Sequence, residues 1–527
     1  MTGKSDGCKI ECGNRLEMNI IKRNPEKAKN KVYDAIIIGG GIYGAMLSLV
    51  AAQKGFKTLL LERDDFGGAT SFNSLRIVHG GLRYLQKLDS HRLFESVSER
   101  KWLLKNFPDL VEPLPCLMPL YGNGLYRPSI FRIALLLNDS LSFNRNKDMP
   151  DKSRLSGGKI ISSKEVKRIF PDVDTKNLKG GAVWYDGSMP DSQRVLIEAL
   201  RWACSLGAEA LNYFEAKDLL LENNKAAGVK AFDREGEDFY NFKSNIIINA
   251  AGPWCRELAG RFDKDYKNLF KSSIAWNILF NRKALSDHAL AVTPKRPGSK
   301  TYFVRPWKGM LFAGTIHEPW SSITKYPMPS ETSINNFIND LNSSIANLIL
   351  KREDILHIFS GLLPAKEEGS AELAVRENIM DHSKENGPEG LFSISGVKFT
   401  TARLVAEKTI NQVFQKSGSV YLENNQFKTN RFYNFSWDKE KLDESDKDNL
   451  REIIETESVQ HLDDLILRRT SLGDNPERAL KIAPQLCELF DWDDAQVNSE
   501  IKRLEEFYRM KSWKKENSEL TTESVKN

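Results

Sequence analysis

The sequence predicts a mixed α/β fold, and three features carry that expectation. Tyr33 to Arg63 reads YDAIIIGGGIYGAMLSLVAAQKGFKTLLLER: an apolar run, a knot of glycines, a small-residue stretch, a second apolar run and an acid. Far downstream, Gly390 to Phe414 runs strand, glycine turn and helix. From about Phe432 the composition shifts to charged, helix-forming segments.

Ala35 to Ile38 is apolar on both faces, as a buried parallel strand must be. Ile42 to Lys54 carries small and apolar residues at helical spacing, and Lys57 to Leu61 is a second buried strand. Between them Gly39-Gly40-Gly41-Ile42-Tyr43-Gly44 fits G-x-G-x-x-G, and Glu62 followed by Arg63 ends the second strand. A bare match is weak, but strand, glycines, helix, strand and acid in this order define a Rossmann-like dinucleotide site. Gly39 allows the tight turn, Gly41 lets the backbone approach a pyrophosphate, and Gly44 lets helix and strand pack closely. The helix start offers free N–H groups and positive potential, while Glu62 accepts ribose hydroxyls.

Further along, Ser90 to Phe107 reads as a helix, and Arg127 to Leu141 as an amphipathic helix with basic residues. Ser162 to Glu165 is a capping pattern. Ser192 to Leu206 is a second amphipathic helix. Asn245 to Trp254 is an apolar strand ending in Ala-Gly-Pro, Thr301 to Thr315 a hairpin turning near Lys308-Gly309, and Ser333 to Leu350 a helix. The glycine fingerprint alone does not choose between NAD and FAD. INAAGPW, with Ala250 and Gly252, gives small residues at a strand end. SGVKFTT, with Gly396, Lys398, Phe399 and Thr400, gives a second glycine-led helix start. Two such starts far apart suit a long, extended FAD, and the second can stabilise negative charge on a reduced flavin.

A chain of 527 residues implies two to four domains, and a net charge of +5 does not argue for nucleic acid. The six cysteines are irregularly spaced without a CxxC pair, as reduced thiols of a cytoplasmic protein are, and no metal site is expected. No stretch approaches the roughly 20 apolar residues that span a bilayer, and the basic first thirty residues lack the apolar run of a secretory signal.

Beyond these elements, GATSFNSLRIVHGGLRYLQ, YDGSMPDSQRVL, RPWKGMLFAGT, SGLLPAKEE, SGVKFTTAR and LDDLILRRTSLG follow one another in the order of a known family. Over roughly Tyr33 to Met510 the chain resembles the FAD-dependent glycerol-3-phosphate dehydrogenases, within the D-amino-acid-oxidase-like flavoproteins. His79 to Tyr84 is the most discriminating stretch. The resemblance implies a Rossmann-like FAD-binding domain, an antiparallel-sheet substrate domain capping the flavin and a helical C-terminal domain. The expected organisation is a disordered basic leader over 1–31, an oxidoreductase region over 32–430, a helical domain over 431–512 and a disordered tail over 513–527. Within the oxidoreductase region the FAD-binding parts are about 32–110, 185–260 and 355–420, and the cap about 111–184 and 261–354.

The implied reaction passes a hydride from C2 of sn-glycerol 3-phosphate to flavin N5, giving dihydroxyacetone phosphate, with quinone or oxygen as electron acceptor. Arg83, Tyr84, Lys398, Arg376 and His79 match family residues near the substrate. Arg83 is placed to grip phosphate in a bidentate fork, Tyr84 to orient it and Lys398 to lie near the reacting carbon. Thr70, Ser71, Ser74, His79, Gly80 and Gly81 are expected along the cofactor. A peripheral site on the inner face of the cytoplasmic membrane, with Arg127 and Arg132 near lipid phosphates, and a homodimer both stay open. Two departures fall on the substrate side. Leu363 stands in Ser360-Gly361-Leu362-Leu363-Pro364 where the family carries arginine, and His317 stands where it tends to carry an acid. Another hydroxy substrate, such as a sugar phosphate or hydroxy acid, therefore remains an alternative, as do an amine or amino-acid oxidase and a non-catalytic FAD protein.

Overall fold

The computed structural model describes residues 20–85, 89–122, 124, 127–296, 298–414 and 441–511, with the side chains of Arg83 and Leu85 left out. Most of the expected leader and the tail from 513 lie outside these residues. Residues 20–31 do not follow the expectation of a free leader. Ile21 is buried and its N–H donates to the Thr456 carbonyl, and the Arg23 guanidinium pairs with Asp233.

The predicted strand Ala35–Ile38 lies inside a six-stranded sheet ordered Asn378–Asp381, Leu391–Ser395, Ile247–Asn249, Ala35–Ile38, Thr58–Leu61, Glu209–Leu211. All neighbours run parallel except the edge strand Asn378–Asp381. The unbroken apolar run of this strand follows from its place between two layers. Ala35 and Ile37 pack in a core with the helices Ile42–Gln53, Ser192–Ser205 and Ala402–Val413. Ile36 and Ile38, on the opposite face, pack with Phe214, Val229 and Phe242 of a small three-stranded antiparallel sheet. Side chains alternate across a strand, so both faces must be apolar.

The second sheet has nine strands and is mostly antiparallel. Its path runs Ile355–Pro364, Ser272–Lys283, Met310–Pro319, Tyr302–Trp307, Ala289–Val292, Glu112–Leu120, Gly180–Ser188 and Ile77–Val78, with Lys159–Ile161 on the flank of Gly180–Ser188. The expected hairpin is here, between Tyr302–Trp307 and Met310–Pro319. Lys308 (φ 48°) and Gly309 (φ 80°) both adopt the left-handed conformation that a two-residue hairpin turn needs.

Two helix expectations change. The helix expected over Ser333 to Leu350 spans only Glu331–Ser344. The Ser343 and Ser344 hydroxyls both donate back to the Asp340 carbonyl, Ile345 is extended and Asn347 has φ 60°. Small polar side chains compete with helical backbone bonds. In the C-terminal region the helices Glu444–Thr456, Pro476–Cys487 and Asp494–Met510 flank a π-helical turn, Asp464–Arg469. The Thr470 N–H closes that turn on the Leu465 carbonyl. The apolar side chains of this region share one core with the nine-stranded sheet, joining Leu465, Ile466, Leu504 and Phe507 to Phe72, Trp307, Phe312 and Phe359. Among the described residues no helix is long and apolar enough to cross a membrane.

Candidate active site

A cavity of about 790 Å³ opens where the parallel strands end. Ile38, Leu61, Ala250 and Gly396, at or just past the carboxyl ends of four strands, form its floor. Met118, Trp184, Asn277, Phe303 and Thr315 of the nine-stranded sheet form its roof. Ligands of open parallel sheets bind at this place.

The glycine knot folds as its spacing demands. The helix Ile42–Gln53 starts at Gly41 with no side-chain cap from that residue, Gly41, Ile42 and Tyr43 line the cavity, and the Ile42 N–H donates to Ser71 Oγ at 3.0 Å. A Cβ on Gly44 would lie 1.8 Å from the Gly39 carbonyl oxygen. Gly44 therefore sits behind the cavity wall and sets the packing beneath it. Glu62 accepts from Gly40 N–H at 2.5 Å and Asp64 N–H at 2.9 Å, which fixes its carboxylate on the wall. Burial, reinforced by the charge of Asp64, pushes its pKa up. Arg63 lies 4.1 Å from the centre of the Trp254 ring.

The second glycine-led turn is tied to the first. Gly396 lies against the Tyr43 ring, where a Cβ would come within 1.8 Å. The Tyr43 hydroxyl donates to the Lys398 carbonyl at 2.8 Å and accepts from the Lys398 N–H at 3.1 Å. This clasp orients the 3-10 turn Phe399–Thr401 that leads into the helix Ala402–Val413. The Lys398 ammonium donates to the Tyr84 hydroxyl and lies 4.5 Å from the centre of that ring. The guanidinium of Arg92 lies 5.1 Å from the same ring.

His79 lines the cavity with its side chain half exposed, and its Nδ1 lies 3.3 Å from Asp186 Oδ2. Asp186 is buried and also accepts from Gly80 N–H at 2.7 Å, Arg100 at 3.0 Å and the Trp184 indole at 3.3 Å. Burial alone would raise its pKa, but the His79 ring, Arg100 and the Gly80 N–H outweigh it and hold the carboxyl below its usual range. Sequence reading passed over Asp186. The available signal was an acid in the middle of an apolar strand, Gly180–Ser188. Asn277 was missed as well. Its side chain accepts from Thr315 Oγ1 at 2.7 Å and donates to the Asn73 carbonyl at 3.3 Å.

Of the expected residues, Gly39, Gly41, Ile42, Tyr43, Glu62, Arg63, Thr70, Ser71, Ser74, His79, Gly81, Tyr84, Ala250, Gly252, Gly396, Lys398, Phe399 and Thr400 line this one cavity. Gly80 lies behind it, with the Arg100 guanidinium where its Cβ would be. Arg83 lies on the helix Leu82–Leu85, and its side chain is outside the described residues. Arg376 is exposed and does not line the cavity, and its neighbour Glu377 is held outside by Lys408 at 2.8 Å. Leu363 and His317 both line it. They pair with Ser273 and Ala275, two rungs apart on the shared strand Ser272–Lys283, so they occupy the same face of the sheet.

An uncapped helix start, a fixed carboxylate on the wall and a second glycine turn clasped to the first fit an extended dinucleotide. With a histidine–aspartate pair and a lysine in the same cavity, the fold and site define a flavin-dependent oxidoreductase. A family model described as FAD dependent oxidoreductase (DAO) matches residues 34–412. A glycerol-3-phosphate dehydrogenase of Synechocystis sp. is 31% identical over 410 residues, covering 75% of this chain and 72% of that protein. The mitochondrial enzyme SDP6 of Arabidopsis thaliana is 31% identical over 401 residues, covering 73% of this chain and 61% of its own length, and the human mitochondrial enzyme is 29% identical over 396 residues, covering 72% and 52%. The match thus spans about half to seven-tenths of these relatives' length. Among solved structures, the glycerol-3-phosphate dehydrogenase from Bacillus halodurans complexed with FAD aligns with a TM-score of 0.68 at 20% identity, covering 92% of this chain and 96% of that one. The chain belongs to the FAD-dependent oxidoreductase (DAO) family, and the relatives it matches over about three-quarters of its length are glycerol-3-phosphate dehydrogenases. It is an FAD-dependent dehydrogenase.

Proposed function

We propose that the chain oxidises C2 of sn-glycerol 3-phosphate to the ketone, giving dihydroxyacetone phosphate, and delivers the electrons to a quinone. The observation that carries this reading is the gathering of Lys398, Tyr84 and the Asp186-anchored His79 in one cavity with the dinucleotide cradle. Bound FAD supplies the hydride acceptor.

The chain's own groups do the rest. The N–H groups beyond Gly41 hold the pyrophosphate and Glu62 the ribose, with Thr70, Ser71 and Ser74 along the approach. The Tyr43 clasp presents the turn at Phe399 and Thr400 to the flavin ring. Asp186 keeps a proton on His79 Nδ1, so Nε2 is the basic nitrogen, and it accepts the hydroxyl proton as the carbon is oxidised. Asp186 then stabilises the imidazolium. Lys398 places positive charge beside the oxygen as it becomes a carbonyl, and Tyr84 holds that lysine.

A second reading, another hydroxy substrate, is favoured by the aliphatic Leu363 and the imidazole of His317 on the same face of the roof. The test is anaerobic addition of glycerol 3-phosphate to the purified yellow protein. Loss of the flavin band near ~450 nm is the expected result. An unbleached flavin that sugar phosphates or hydroxy acids reduce instead would move the chain to the second reading.

The same proposal sets the protein on a membrane surface. The helix Pro128–Leu141 buries Phe131 and Leu135 yet exposes Ile133 (59%), Leu136 (61%) and Leu137 (49%), and Phe143 beyond it is 78% exposed. Such a face, with Arg127 and Arg132 at hand, suits insertion among lipid headgroups, close to a quinone pool.

A further inference from the structure

Residues 62–76 make one long wall of the cavity, to whose lining Glu62, Asp65, Ser71, Asn73 and Arg76 all belong, the side chains of Asp65 and Arg76 being turned into the protein behind it. This wall is irregular backbone, broken only by the 3-10 turn Thr70–Phe72. Bonds within the segment, such as Asn73 Nδ2 to the Ala69 carbonyl, tie its local turns. From behind, the C-terminal region grips it at three points. Arg469 makes a bidentate pair with Asp65 at 2.6 and 2.8 Å, and Arg468 adds Nε at 2.6 Å. The Lys511 ammonium donates to the Asn73 side chain at 3.0 Å. Asp474 accepts from Arg76 at 2.8 and 3.1 Å. All of these side chains are buried.

The contacts recur along the wall at 65, 73 and 76, and each grip comes from a different C-terminal element: the π-turn, the turn Leu472–Asp474 and the end of the helix Asp494–Met510. Other bonds hold the same region without touching the wall. His461 bridges Glu500 at 2.8 Å and Glu235 at 3.1 Å, and Arg194 pairs with Glu457 at 2.5 and 2.6 Å.

We propose that the helical C-terminal region is the backing of the cofactor wall, and that Arg469, Asp474 and Lys511 are positioning residues that set FAD affinity from outside the cavity. The inference rests on the FAD assignment above. A wall held in its binding shape before FAD arrives has less ordering left to lose on binding, which tightens the complex. By reciprocity, bound FAD must stiffen the C-terminal region.

The experiment titrates FAD into full-length protein stripped of cofactor and reads quenching of flavin fluorescence. Arg469→Lys and Asp474→Asn are expected to raise the dissociation constant about tenfold, within the range of ordinary site-to-site coupling. His461→Gln is expected to lower Tm while leaving the constant within about twofold, as for an independent site. An unchanged constant in the first two variants, or an equal rise in all three, overturns the proposal. Should a wall variant fail to fold, hydrogen exchange of the wild-type chain with and without FAD decides. Slower exchange over residues 464–511 with FAD is expected, and unchanged exchange there overturns the coupling. A wild-type chain that takes up no FAD refutes the cofactor assignment itself, a separate failure.

Discussion

At the scale of single residues, the proposed mechanism hangs on an imidazole whose partner is 107 positions away in the chain. His79 has its Nδ1 on Asp186, and Asp186 is fixed by three further donors. Under that mechanism, removing either member disables the same proton transfer. His79→Asn and Asp186→Asn are each expected to slow flavin reduction by ~10²–10⁴-fold in anaerobic stopped flow, with FAD still bound. Groups that act as one unit are not additive, so the double variant should be about as slow as the slower single one. A product of the two single effects would show that the pair does not act together. His79, Tyr84 and Lys398 were legible because each sits in a local motif. Asp186 was not, because what makes it matter is a contact across two strands, and linear spacing carries no trace of that. Arg376 shows the converse. Its motif was present, but the chain path after Pro364 carries it to the surface.

At the scale of elements, the docking of the C-terminal helices carries two titrating groups whose pKa shifts run in opposite directions. His461 is pushed up to about 10: burial opposes its charge, but the Glu235 and Glu500 carboxylates beside it outweigh burial. Its native state holds the extra proton, so its stabilisation is complete below its usual 6.5 and is lost as pH climbs to about 10. Lys511 is depressed by burial from 10.5 to about 7. Here the unfolded chain holds the extra proton, so stability rises with pH across that window. The two slopes oppose each other between about 7 and 10 and nearly cancel. Chemical denaturation at several pH values is the check. His461→Gln should leave stability rising with pH in this range, and Lys511→Met should leave it falling. Parallel behaviour of the two variants would contradict the assignment. Breaking the part-buried His461 contact to Glu500 should also cost on the order of 2 kcal/mol near neutral pH, as for a hydrogen bond to a charged group. The strands and the hairpin turn were readable from alternation and turn residues. The π-turn was not, because it is set by two adjacent arginines converging on the distant Asp65.

At the scale of the whole molecule, the helix Pro128–Leu141 reaches the cavity through its buried Phe131, while its apolar residues Ile133, Leu136 and Leu137 are exposed on the outside. A membrane-bound enzyme would then present this side of its active site to the lipid. Flotation with vesicles containing anionic lipid is expected to carry the wild-type protein, and Leu136→Glu with Leu137→Glu should leave it in the dense fraction while its flavin still bleaches with substrate. Equal flotation of both proteins would remove this helix from any membrane role. The two-layer plan of the cofactor region was legible in the apolar strands and glycine turns. The way the C-terminal helices share a core with the roof was not, because an amphipathic helix announces that it has a partner but not which surface that partner is.

The clasp between Tyr43 and Lys398 joins residues 355 positions apart. On a ribosome adding about 5–20 residues per second, the second half of that clasp emerges roughly 20–70 s after the first. A cavity that needs both glycine turns is therefore incomplete until most of the chain has been made. FAD binding is thus expected late in the making of each chain, once the turn at Gly396 to Lys398 has joined the fold.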